Sequence, residues 1–201
     1  MNSEILAPVR HGLVMAILAL IFGALWAGFL AAQHTSLHGG FEAQLESKQA
    51  SIEQQESMHH SHADNENSNH MHATNEEHTH TGSLAGDAMQ RLLRGHIHFM
   101  GLGVLSTALL LVTAFTSLKP YWKKALGWSF GIGALAYPPA WILMGFRTVT
   151  LGSEAAEASV MWLFMPAVGL LLLSMGSLLI VLLIEWCGCQ KGTLLSRLFS
   201  N

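Results

Sequence analysis

Residues 160–184 read VMWLFMPAVGLLLLSMGSLLIVLLI, a stretch of 25 residues without one charged side chain. A helix rises about 1.5 Å per residue and needs about 20 residues to cross about 30 Å of hydrocarbon, so this run can span a bilayer. Backbone polar groups in lipid must bond within their own segment, and nothing in the run alternates as a barrel strand does, which leaves the α-helix. Three further charge-free runs, residues 12–32, 97–118 and 125–145, meet the same length.

Composition points the same way. Of 201 residues, 51% are hydrophobic and 11% charged, where a soluble domain carries about 25% charged residues. A net charge of −3 supplies no basic field for nucleic acid, so a DNA or RNA partner is not expected. The expectation is an all-α integral membrane protein with four transmembrane helices in an antiparallel bundle, its lipid-facing surfaces in contact with the bilayer.

Orientation follows from lysine and arginine. Arg10, Lys119, Lys123, Lys124, Lys191 and Arg197 fall on one side of the spans; Lys48, Arg91, Arg94 and Arg147 are spread over a much longer opposite side that also holds most acidic residues. By the positive-inside rule both termini are cytoplasmic and the long loop is extracytoplasmic, in a multi-pass protein of a cell's inner membrane. The first apolar run exceeds the about 7–15 residues of a signal-peptide core, so it reads as a retained anchor. The expected division is residues 1–33 for the N-terminus and first span, 34–95 for the outer loop, and 96–118 for the second span. Residues 119–146 make a cytoplasmic turn and third span, and 147–201 an outer loop, fourth span and tail.

Within the outer loop, Phe41, Leu45 and Ile52 recur at nearly helical spacing among charged residues and suggest a short helix, one that could lie on the membrane surface. Residues 57–82 hold His, Asn, Glu, Ser and Thr with almost no apolar residue, a composition that cannot bury a core and is expected to be largely disordered. Asp87 could cap a helix leading into the second span. In the third span Tyr137-Pro138-Pro139 removes backbone donors, so a kink or break near mid-membrane is expected. Gly101, Gly103, Gly127, Gly131 and Gly133 read as close helix packing.

Histidine carries the functional signal. Eleven of the twelve histidines lie between His34 and His98. His59, His60, His62, His70, His72, His78 and His80 are interleaved with Met58, Met71 and several carboxylates, donors that suit Cu, Zn, Ni or Co, with Cu or Zn favoured. A tract of interchangeable ligands suits capture more than one rigid catalytic site. His34 and His38, four residues apart, share a helix face and can chelate one ion. His96 and Met100 form a second such pair, with nitrogen and thioether donors. His96 and His98 point about 200° apart on a helix and should not serve one centre.

A haem b held by His34 and His98 across the first and second spans is the alternative cofactor site. The run from Gly95 to Gly103 resembles the histidine-bearing helices of haem-containing membrane oxidoreductases, over under a tenth of the chain and without their other histidine motifs. Cys187 and Cys189 could bind a soft metal, although ordinary thiols or acylation sites are the simpler reading. His11 reads as an interfacial residue. There is no G-x-x-x-x-G-K-[ST], H-E-x-x-H or G-x-S-x-G motif and no carboxylate within a span, so hydrolases and energised pumps are disfavoured and no catalytic residue is assigned. Three readings remain: a non-enzymatic metal-handling protein, a haem-binding electron-transfer protein, and an assembly subunit packing against a larger complex or a second copy of itself.

Overall fold

A computed structural model describes residues 3–59, 81–187 and 199. These form a short helix α1 (Ser3–Leu6) and four long ones, α2 (Arg10–His59), α3 (Thr81–Phe115), α4 (Pro120–Leu151) and α5 (Ser153–Trp186). Among the described residues the β-type contact is a single bridge between Leu118 and Phe199. The helices α2 to α5 are each long and apolar enough to cross a membrane, so this is a multi-pass membrane protein. Their outer faces are apolar too: Leu25, Phe115, Leu172 and Leu173 are all exposed, as expected where lipid rather than water covers the surface.

Ala16 and Leu20 of α2 lie against Gly103 of α3, Gly23 against Phe99, and Trp26 donates from Nε1 to the Leu92 carbonyl oxygen at 3.0 Å. On the other side of α3, Leu92 meets Gly145 of α4 and Ile142 meets Gly95. Helix α5 packs chiefly on α4 through Leu171 and Gly133. One core cluster joins Val9, Ala16, Leu110, Phe130 and Leu178; another joins Leu30, Phe41, Leu45, Ala88, Leu92 and Val149.

The backbones of α2 and α4 approach closely. A methyl group placed on Gly12 would sit 2.3 Å from the Gly127 carbonyl oxygen, so only hydrogen fits there. Gly101, by contrast, has no neighbour within 4 Å of such a methyl, and the packing role expected of it does not apply.

Several sequence expectations change. The outer loop assigned to residues 34–95 is helical at both ends, because α2 continues to His59 and α3 begins at Thr81. Phe41 and Leu45 therefore pack against Ala85, Ala88 and Leu92 as part of α2, not as a separate helix on the membrane surface. Asp87 lies inside α3 rather than at its cap. Helix α4 runs unbroken through Pro138 and Pro139; the ring nitrogens have no proton to give the carbonyls of Ala134 and Leu135, yet the helix continues on both sides. The connection between α4 and α5, expected as a loop, shrinks to Gly152, whose φ of +83° is a conformation other residues rarely adopt. Its N–H bonds the Thr148 carbonyl and closes α4.

Candidate metal-binding site

Past residue 33, α2 becomes rich in Glu, Gln, Lys, Ala and Ser with no proline, and such residues sustain a helix in water. It is held in place from two sides. Phe41 and Leu45 are buried, and Lys48 Nζ donates to the carbonyl oxygens of Val149, at 3.4 Å, and Thr150. The last carbonyls of a helix lack intrahelical partners and favour a cation, so Lys48 caps the end of α4 from a neighbouring helix.

This extension presents the predicted pair. His34 and His38 have ring centroids 6.4 Å apart with planes inclined by 28°; His34 is exposed and the His38 side chain is 38% exposed. His38 Nδ1 lies 3.3 Å from Glu42 Oε1. A hydrogen bond across that distance would put the proton on Nδ1 and leave the lone pair of a neutral ring on Nε2. Imidazole held through one nitrogen by a carboxylate, with the other nitrogen turned outward, is the usual arrangement of a metal-ligating histidine. His34, His38 and Glu42 thus follow one another up a single stripe of the helix.

His96 faces α2, and its Nδ1 is 2.9 Å from the Gly23 carbonyl oxygen. Met100 rests on the same glycine, its sulfur 3.0 Å from the point where a Gly23 methyl would be, so the predicted His96 and Met100 pair does share one face. A groove of about 480 Å³ between α2 and α3 is lined by His96 and His34 together with Ala27, Ala31, Met89 and Leu93. Gly23 is eleven residues before His34 in the chain, about 16 Å of helix rise, so the two histidines stand at opposite ends of the groove.

His98 faces the other way. Its ring meets the Tyr137 ring edge-on at 4.9 Å and stacks on Trp141 at 5.6 Å, and both aromatics touch Phe164 of α5. His34 and His98, the pair considered for haem, are not brought together. His11 stacks on Trp128 at 5.6 Å.

His60, His62, His70, His72, His78 and His80 lie outside the described residues, and His59 is described only as the last residue of α2. Cys187 is exposed at the end of α5, and Cys189 lies outside the described residues. Among the described residues no group of three or more His, Cys, Asp and Glu side chains is placed to hold an ion. What the bundle itself presents is two histidines four residues apart with a carboxylate near one ring.

Sequence reasoning missed a polar cluster at the same end of the bundle. Arg91 is only 7% exposed; its Nε donates to Asp87 Oδ2 at 3.0 Å and its Nη2 donates to Ser153 Oγ, which in turn donates to Asp87 Oδ2 at 3.1 Å. The spacing of Asp87 and Arg91 by four residues was a legible signal; the partner 62 residues onward was not. Comparison with protein-family models, curated proteins and solved structures finds no match.

Proposed function

We propose that this chain is a non-enzymatic metal-handling protein of the inner membrane, in which the histidine-rich tract captures a divalent transition metal or copper and the bundle takes part in its transport or delivery. The observation that carries the reading is the His34 and His38 pair with Glu42 on His38 Nδ1, set on the same helix that leads into the tract. A pair of imidazoles with a carboxylate beside one ring is suited to receive an ion from a histidine-dense segment. Two good ligands and open remaining positions favour passing a metal on over retaining it, since closed four-ligand sites are the ones that hold structural metal.

The same reading takes the four spans as an antiparallel bundle with both termini cytoplasmic and the tract extracytoplasmic. Two observations support it. Positions rise along α2 from Ala16 to Trp26 while their partners on α3 fall from Gly103 to Leu92, and the lysines of residues 119–124 cluster at the opposite end from the tract.

The test is elemental analysis of untagged protein purified in detergent from cells grown with Fe, Cu, Zn, Ni and Co together, with a visible spectrum of the same sample. Copper, zinc, nickel or cobalt bound by the full chain and severely reduced by deletion of residues 57–82 is the expected result. A haem absorption band with near-stoichiometric iron overturns the proposal in favour of electron transfer. Absence of all five metals overturns it in favour of an assembly role.

A further inference from the structure

A small cavity of about 90 Å³ lies between α3, α4 and α5, walled by Arg91, Arg94, Trp141, Met144, Glu157 and Phe164. It lies apart from the metal-binding stripe of α2 and belongs to no part of the proposed capture route. Two hydrogen-bond donors on its wall, Arg91 Nη1 and Trp141 Nε1, are buried and have no partner among the described residues. The Arg91 side chain is 8% exposed. Asp87 and Ser153 occupy the Nε and Nη2 edge of its guanidinium, so Nη1 points away from both. Leaving one buried donor unmet is costly, roughly 1–3 kcal/mol and more when the group is charged; two on one wall mark a place built for an acceptor.

The charges narrow the choice of acceptor. Arg94 lies over the Trp141 ring, 5.2 Å from its centroid, which brings a second guanidinium to the cavity. Asp87 is engaged by Arg91 and Ser153, and Glu157 is the one acidic residue on the cavity wall. The volume is several times the roughly 10–15 Å³ that one water requires, and the rest of the wall is apolar. Arginine recognises planar and tetrahedral oxyanions through its paired donors, and indole N–H adds a donor with no competing acceptor.

We propose that the cavity between α3, α4 and α5 binds an oxyanion, a phosphate or carboxylate group whose oxygens accept hydrogen bonds from Arg91 Nη1 and Trp141 Nε1. Arg94, also on the cavity wall, adds a second positive charge. The group is either a free anion or the headgroup of a surrounding lipid, and both present the same acceptor oxygens.

The experiment uses the full chain and reads its melting temperature. In detergent, inorganic phosphate or acetate is titrated against sodium chloride of equal ionic strength; separately, the protein is reconstituted in nanodiscs of phosphatidylglycerol or of phosphatidylcholine. Stabilisation by the soluble anions identifies a free ligand, and stabilisation by phosphatidylglycerol alone identifies a lipid headgroup; either supports the site. No stabilisation in any of these overturns it. Trp141→Phe, which keeps the ring and removes the donor, is expected to weaken binding about tenfold. Glu157→Gln is expected to tighten it. Unchanged binding by Trp141→Phe, or loss of stability in Glu157→Gln showing that Glu157 is itself the acceptor, also overturns the proposal.

Discussion

His96 is tied to Gly23, its Nδ1 resting 2.9 Å from the glycine carbonyl oxygen. A carbonyl only accepts, so the bond fixes the proton on Nδ1 and leaves the Nε2 lone pair on the groove side of the ring. Nitrogen-resolved NMR of the histidine side chains should find this tautomer for His96. Replacement by alanine should cost about 1 kcal/mol, read as a lower unfolding midpoint in detergent. A His96 found protonated on Nε2 alone would contradict the assigned bond.

In the proposed site Glu42 acts through His38, whose Nδ1 lies 3.3 Å from its Oε1. Glu42→Gln should weaken zinc binding at the His34 and His38 pair by about tenfold or more, the usual effect of removing a carboxylate behind a ligating imidazole. The titration is cleanest on a chain in which residues 60–80 are replaced by a Gly/Ser linker, so that the tract does not compete. Equal affinity before and after the substitution would place the ion elsewhere.

Gly12 tests how the first span is seated. Gly12→Ala places its methyl 2.3 Å from the Gly127 carbonyl, which forces α2 and α4 apart and is expected to cost about 1–3 kcal/mol. Gly28→Ala is the control: nothing lies within 4 Å of the added methyl, and the gain in helix propensity should leave stability unchanged or raised by up to about 1 kcal/mol. Chemical denaturation of both variants in one detergent separates packing from backbone entropy.

Asp87 neutralises a buried cation. Asp87→Asn leaves Arg91, 8% exposed, without its charge partner, although Asp87 itself is 30% exposed; a loss near 3 kcal/mol, the low end for a broken buried pair, is expected. The double change Asp87→Asn with Arg91→Met should recover much of it, because the uncompensated charge is then gone.

The four spans were legible because lipid imposes a simple requirement, an unbroken charge-free run of sufficient length, and each run meets it. Where those helices end was not legible. Lipid stops constraining α2 at about residue 33, but Glu42, Gln44, Leu45, Glu46 and Lys48 go on favouring the helix, and Phe41 and Leu45 find a partner in α3 that no local pattern reveals. At the candidate site, the four-residue spacing of His34 and His38 and the opposed directions of His96 and His98 could be read from helix periodicity. Their neighbours could not: Gly23 for His96 and Trp141 for His98 belong to other helices and depend on register. Helix α4 continues through Pro138 and Pro139, so the break that their missing donors allowed does not occur.

Helix α2 is 50 residues without interruption, about 75 Å from end to end. It is seated by Gly12 at one end, braced by Lys48 against the end of α4, and joined at His59 to the tract. Because one continuous helix links the Gly12 contact to the Lys48 brace, a displacement at either place is expected to be felt at the other through the helix itself.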